Sequence, residues 1–318
     1  MPKVSTKSKI LFAGTSDFAI PTLEKLINRP DINVIAALTQ PDRQAGRGRK
    51  LKLSPIKKAA ISHKIRVLEP TNLNRCEELT EILREDIEFL IVVSYGLMIP
   101  PSIINKVHFA INVHASLLPN WRGASPIQHA IMKGDRYAGV SIMKVTEKLD
   151  SGPVFCSDSI RLEENETYGS LSGKLALLGS NKLNETMSDI RKGVFETKSQ
   201  DDNLATYAAK ITKEDREINW NIDAVTIERK IRAFSPKPGA YSMLDGKRIK
   251  IYTSDALEKR STKPPGTIIN NSQIGLEVSC GFGTIVLNQI QLEGKSSMQF
   301  DEVFKSNADL LRLGQRFE

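Results

Sequence analysis

Cysteine is scarce in this chain, and the few that occur are badly placed for covalent or metal chemistry. Cys76, Cys156 and Cys280 are the only three. They are odd in number, far apart and without CxxC or Cys/His spacing, which argues against a disulfide framework and gives no reason to expect a metal site. Buried or half-buried thiols in a reducing compartment are expected instead. Long hydrophobic runs are also missing. No stretch of about 18 apolar residues is present, so no membrane-spanning helix is expected. The polar, basic residues 1–9 lack the apolar centre of a secretory signal. A strand that begins by Lys9 leaves little room for an organellar presequence. A cytoplasmic protein of bacterial type, without a membrane partner, is expected, with an organelle left open.

What the chain does have is core material and excess positive charge. Its 318 residues suit two domains. Hydrophobic residues make up 40% and charged ones 26%, enough to build a real core. The net charge is +8 and the isoelectric point about 9.3. An excess of that size suggests a polyanionic partner if it is clustered.

Along residues 1–192 short apolar runs alternate with helical patterns. Residues 9–14, 33–39, 66–68, 89–94, 109–114, 137–145 and 154–162 read as strands. Residues 18–27, 54–63, 74–84, 125–132 and 167–192 read as helices, two of them announced by a serine followed by proline, Ser54-Pro55 and Ser125-Pro126. This is the βαβα pattern of a Rossmann-like, doubly wound and mainly parallel sheet of the α/β class. After a polar stretch the texture changes to short strands about every 10–15 residues, punctuated by Gly and Pro, which suggests a small β-barrel. The expected division is a first domain over 1–194, a linker over 195–210 and a second domain over 211–318.

Ligands of doubly wound sheets gather at the carboxyl ends of strands. The first strand ends in Gly14-Thr15-Ser16-Asp17, with one glycine where a dinucleotide fingerprint needs three, so NAD binding is disfavoured. The densest chemical signal is Asn112-Val113-His114 followed by a loop through Gly123. Strand alternation puts Asn112 and His114 on one face. An amide and an imidazole aimed at one point suit a developing oxyanion. Asp150, in Leu149-Asp150-Ser151-Gly152, offers a carboxylate that could orient the imidazole, although such a residue is often just a turn former.

These blocks resemble the methionyl-tRNA formyltransferases, a family within the folate-dependent formyltransferase superfamily. The likeness is carried by Phe12-Ala13-Gly14-Thr15, Gln40-Pro41-Asp42-Arg43, Val93-Ser94-Tyr95-Gly96-Leu97, the whole Asn112-to-Gly123 block, and Leu149 to Gly152. It continues through Ala205-Thr206-Tyr207-Ala208, Ile218-Asn219-Trp220 and Ile231-Arg232-Ala233-Phe234-Ser235-Pro236, and so runs almost end to end. It implies 10-formyltetrahydrofolate as co-substrate, no metal, methionyl initiator tRNA as acceptor, and a second domain of OB-like fold. Asn112, His114 and Asp150 fall on the family's catalytic positions. Tyr95, Gly96, Leu97 and Ser116, Leu117, Leu118, Pro119 fall on its folate-contacting segments. The sequence departs from the family at Ser16, Gln44 and Lys237, where Pro, Pro and Trp are usual. The missing proline at Gln44 is expected to loosen its loop.

The basic residues Arg43, Arg47, Arg49, Lys50, Lys52, Lys57 and Lys58 are interleaved with Gly46 and Gly48. A mobile loop over 41–52 that orders against tRNA phosphates is expected. By the resemblance it meets the end of the acceptor stem, with Arg47 sensing the first base pair. Arg232, Lys237, Lys247 and Arg248 are the corresponding expectation in the second domain, carrying affinity more than specificity. A monomer is expected. Two alternatives use the same three polar residues: formyl transfer to a small amine, and hydrolysis of the formyl folate.

Overall fold

In the computed structural model, which describes residues 7–45, 50–307 and 310–318, the chain forms two compact units. The first comprises Met1–Pro126, Tyr137–Ile160 and Ser172–Ala208; the second comprises Ile127–Arg136, Arg161–Leu171 and Ala209–Glu318. Two short stretches from the earlier sequence thus cluster with the later unit. Packing explains why. Met132 packs on the second unit's core, the space beside Gly134 is filled by the Arg229 guanidinium, and Gly169 N donates to Ser235 O at 3.0 Å.

Through Ala208 the elements are β1 (Ser8–Gly14), α1 (Ile20–Ile27), β2 (Ile32–Leu38), β3 (Arg43–Ala45), β4 (Lys50–Lys52), α2 (Pro55–Ser62), β5 (Arg66–Leu68), α3 (Glu77–Ile82), β6 (Ile87–Val93), α4 (Pro101–Ile104), β7 (Val107–His114), β8 (Arg122–Gly123), α5 (Pro126–Lys133), β9 (Tyr137–Lys144), β10 (Val154–Arg161), α6 (Tyr168–Lys192) and β11 (Tyr207–Ala208). Seven strands form one sheet in the order β10-β9-β7-β6-β1-β2-β5. The five strands from β7 to β5 are parallel, and β9 runs antiparallel to β7. Central strands are covered on both faces, so they are written as continuous apolar runs: Ile10 to Ala13 and Phe89 to Ile91 are fully buried. Helix α2 starts where the serine–proline signal puts it, with Ser54 Oγ accepting from Lys57 N at 3.0 Å.

Helix α6 buries Leu175, Leu183, Met187 and Ile190 at helical spacing. Gly179 lets it approach the sheet, because a Cβ there would lie 2.6 Å from Val113 Cγ1. Val113 points away from the face shared by its neighbours Asn112 and His114, so α6 closes the opposite side of the strand.

The end of α6 is tied down electrostatically. Asp31 accepts two hydrogen bonds from Arg29, at 3.0 and 2.6 Å, and is also paired with Arg191, which reaches Glu88. The Arg29 guanidinium holds the Asp31 carboxyl at about 2, below its ordinary 3.8. A depressed carboxylate stabilises the fold above pH 4 and loses that contribution as pH falls through about 2. Because Asp31 is 39% exposed, solvent screens the effect and it is modest. Denaturant unfolding measured from pH 5 to 2.5 should therefore fall more steeply in the wild type than in Asp31→Asn. Equal slopes would show that this carboxylate is not coupled to folding.

The second unit adds α7 (Ala224–Phe234), β12 (Ala240–Leu244), β13 (Lys247–Leu257), β14 (Ile268–Ser272), β15 (Gly275–Ser279), β16 (Thr284–Gln291), β17 (Met298–Gln299) and α8 (Phe300–Asn307). Its antiparallel sheet has the order β12-β13-β16-β15-β14, with β17 on β16. Strands β13 and β16 set buried apolar positions against a more exposed, mostly polar row. The two edges are joined by residues 314–318. Ile268 N donates to Gln315 O and Phe317 N to Gly266 O beside β14, while Glu318 N donates to Met243 O on β12. The result is a small OB-like barrel. Its core includes Trp220, whose Nε1 donates to Ser242 Oγ at 2.9 Å and whose ring lies 5.2 Å from that of Phe317.

Candidate active site

Strand β7 ends at the polar pair the sequence singles out. Asn112 lies opposite Val92 of β6 and Met143 of β9, and His114 lies opposite Ser141. The third residue arrives on the loop between β9 and β10. That loop is closed by Lys144 N donating to Pro153 O at 2.9 Å and held to β7 by Val145 N donating to Ala110 O at 2.9 Å. At its tip Asp150 has φ +48°, a left-handed conformation that Asp tolerates better than most residues.

The three side chains converge. Asn112 Nδ2 is 3.4 Å from Asp150 Oδ1, and His114 Nδ1 is 3.7 Å from Asp150 Oδ2. The second distance is too long for a direct hydrogen bond. Both groups are largely buried, with His114 7% and Asp150 13% exposed. What orients the imidazole is a backbone group: His114 Nε2 lies 3.0 Å from Trp121 O. A carbonyl only accepts, so Nε2 carries a proton and the neutral ring has its lone pair at Nδ1, facing Asp150. Asp150 Oδ2 in turn accepts from Gly123 N at 2.8 Å. Gly123 has φ +119°, a conformation open to glycine, and a Cβ there would sit 2.6 Å from Ala208 O.

The segments expected to hold folate flank this point. Ser116 to Pro119 form a loop pinned by Ser141, which is fully buried. Its hydroxyl accepts from Leu118 N at 3.0 Å, donates to Ser116 O at 2.8 Å and lies 2.8 Å from Ser157 Oγ. With its one proton used, Ser157 must be the donor in that last contact. Sequence reading missed Ser141 because it sits inside an apolar run. Ser116 spends its own hydroxyl within the loop, donating to Asn120 O. Leu117 packs on Gly139, where a Cβ would be 2.4 Å from Leu117 Cδ2. Leu118 and Pro119 are half-buried at the rim.

At the end of β6 the Tyr95 side chain is not part of the rim. It belongs to the apolar core of the first unit, 2% exposed, and burial pushes its phenol above the ordinary value. Gly96 is exposed, while Leu97 is half-buried and packs against that same core. Gly96 has φ +87° and no atom within 4 Å of where a Cβ would be. A flat ring could approach that open backbone closely.

The basic segment expected as a mobile loop over 41–52 is described only in part. Its described ends are paired antiparallel strands, with Arg43 opposite Lys52, Gln44 opposite Leu51 and Ala45 opposite Lys50. Gly46, Arg47 and Arg49 lie outside the described residues. Lys52 is exposed. Lys57 is not a free cation: its amine bridges Asp42 and Glu69 at 2.6 and 2.7 Å, and those carboxylates raise its proton affinity. It clamps the base of the hairpin.

In the second unit Lys237 and Lys247 are exposed. Arg248 lies 4.7 Å over the Tyr241 ring, with Arg216 5.8 Å from the same ring. Burial and these two arginines lower the proton affinity of Lys250. Arg232 is corrected by the structure. Its guanidinium pairs with both oxygens of Glu228 and donates to Glu166 O at 2.9 Å, and its side chain is only 14% exposed. It is committed to internal partners and presents little to a phosphate.

Among the described residues no cluster of metal-ligating side chains is found, and no helix is long and apolar enough to cross a membrane.

Fold and site together define an α/β enzyme with an amide, an imidazole and a carboxylate at the carboxyl end of a doubly wound sheet, followed by a small barrel. The chain belongs to the formyl transferase family: residues 7–187 match the formyl transferase model and residues 210–308 its C-terminal domain. Among curated proteins it is 37% identical over 308 residues to a methionyl-tRNA formyltransferase of Coxiella burnetii, covering 96% of this chain and 98% of that one. It is 40% identical over 307 residues to the methionyl-tRNA formyltransferase of Pseudomonas fluorescens, covering 96% of each. Among solved structures, an N-formyltransferase from Helicobacter canadensis in complex with folinic acid and dTDP-3-aminofucose shares the fold at TM-score 0.65 and 16% identity, over 88% of this chain and 99% of that one. HypX from Aquifex aeolicus in complex with tetrahydrofolic acid superposes at TM-score 0.62 and 17% identity; 93% of this chain is covered, spanning 46% of that longer one.

Proposed function

We propose that this enzyme transfers the formyl group of 10-formyltetrahydrofolate to the amino group of methionyl initiator tRNA. The observation that carries this reading is the meeting of Asn112, His114 and Asp150 around one point, in a chain that aligns almost end to end with proteins of that name.

The donor supplies an activated one-carbon unit beside Gly96 and the Ser116-to-Pro119 loop. The neutral amine attacks the formyl carbon, a C–N bond forms, and the carbonyl oxygen becomes an oxyanion. Asn112 Nδ2 donates to that oxygen. His114, with Nε2 committed to Trp121 O, takes the amine's proton at Nδ1. The imidazolium so formed is stabilised by the Asp150 carboxylate 3.7 Å away. It then returns the proton to the folate nitrogen as the old C–N bond breaks. One proton has moved from acceptor amine to departing nitrogen, and no covalent enzyme intermediate is needed.

A tRNA acceptor is supported by basic residues on the β3–β4 hairpin and on the barrel, at Lys237, Lys247 and Arg248. Arg43, Lys50 and Lys52 on the hairpin strands, with Arg47 and Arg49 of the same segment of sequence, are assigned the phosphate and acceptor-end contacts. An assay with purified charged tRNAs should show formylation of initiator methionyl-tRNA well above the elongator form and above free small amines. Binding should weaken steeply between about 50 and 200 mM salt, as phosphate contacts require. Equal rates on small amines, formate release that keeps pace without acceptor, or a flat salt response would each defeat the tRNA assignment. The reading is that of a cytoplasmic enzyme, in keeping with the bacterial relatives.

A further inference from the structure

We infer that Gln200 is a positioning residue for Asp150, acting through the main chain of its loop and itself aimed by Arg122. The inference rests on the role proposed above for Asp150.

Asp150 needs to be held. It adopts a left-handed conformation, φ +48°, which persists in a non-glycine residue only where the surroundings over-determine it. Two sets of contacts do so. On the side chain, Gly123 N donates to Oδ2 at 2.8 Å. On the main chain, Gln200 Nε2 donates to Asp150 O at 2.9 Å and to Gly152 O at 2.8 Å. One primary amide therefore spends both hydrogens on the two carbonyls that bracket the turn. The loop has no slack towards β9, because a Cβ on Gly152 would lie 2.0 Å from Lys144 O.

The orientation of the Gln200 amide is also determined. Its Oε1 accepts from Arg122 Nε at 3.1 Å, and Arg122 Nη2 is fixed by Asp202 at 2.7 Å. Arg122 is 3% exposed. A flipped amide would set oxygen against two carbonyls and NH2 against a guanidinium, so only one orientation satisfies all three groups. Arg122 and Gly123 are adjacent on β8: the first reaches Asp150 through Gln200, the second touches its carboxylate. Strand β8 is paired in turn with β11, a few residues beyond Gln200. The segment from Gln200 to Ala208, which reads as a polar connector in sequence, is thereby part of the frame of the site.

The variant that isolates this role is Gln200→Glu. It is close to isosteric and keeps an acceptor for Arg122, but replaces the two donors with an oxygen facing two carbonyls. Gln200→Ala removes both ends and serves as a second variant, each checked for native folding by circular dichroism. Single-turnover formyl transfer should fall by about 100-fold in both, in the range expected when a catalytic group is displaced by about 1 Å, with the KM for formyl folate unchanged. In an Asp150→Asn background the same changes should add almost nothing, because a residue that acts through another has no independent effect. Wild-type turnover in either folded variant, or a loss that multiplies with that of Asp150→Asn, overturns the inference while leaving the catalytic reading intact. Wild-type turnover by Asp150→Asn itself would remove the role of Asp150, and this inference with it.

Discussion

Asn112→Ala is expected to slow formyl transfer by about 100- to 1,000-fold while leaving folate affinity close to unchanged. The size follows from when the contact matters. A neutral formyl oxygen gains little from the Asn112 amide, whereas the oxyanion formed on attack gains a donor already held near Asp150 Oδ1 at 3.4 Å. The loss therefore falls on the transition state and appears in kcat rather than in binding. The scaffold should tolerate the change. Asn112 is only half-buried, and its backbone pairs with β6 and β9 regardless of side chain. Single-turnover rates alongside a folate titration separate the two effects. A variant that binds folate weakly but reacts at the normal rate once saturated would show that the amide holds substrate and does not act on the oxyanion.

Gly123→Ala should have the largest effect on stability, about 2–5 kcal/mol, and should abolish most activity. Two costs combine: a side chain at φ +119° carries backbone strain, and its Cβ would collide with Ala208 O 2.6 Å away. Relief requires the β8–β11 pair to separate. That in turn withdraws Gly123 N from Asp150 Oδ2 and disturbs Trp121 O, which orients His114. Denaturant unfolding should show an earlier midpoint and residual activity should be low even at temperatures where the variant is folded. A destabilised variant with full activity would mean that the carboxylate does not depend on this peptide group.

The two halves of the site differ in how far sequence discloses them. Asn112 and His114 are legible because a strand has period two and because an amide and an imidazole are conspicuous at the end of an apolar run. Asp150 is visible as a residue but not as a partner, since only the return of the β9–β10 loop brings it to β7. The groups that hold the centre together are least legible. Trp121 O and Gly123 N are peptide groups that every residue carries, so no side-chain type marks them. Gln200 lies in a polar stretch with no periodicity, and such stretches read as connectors. Arg232 shows the opposite difficulty. Its spacing from Glu228 is that of an i,i+4 pair, which sequence does reveal, but a cluster of basic neighbours draws attention from it. At the level of fold, the parallel sheet is plain because buried strands are written without alternation. The longer barrel strands are blurred because their outer rows are mostly polar.

The barrel has one further property. Residues 314–318 bond to β14 on one side and β12 on the other, and every strand they join precedes them in the chain. During synthesis on the ribosome both rims must therefore wait, with bare N–H and C=O groups, until those residues emerge. A waiting rim is where a neighbouring nascent chain can pair by mistake. The hazard is confined to that interval, because the strap that ends it is covalently attached and always within reach.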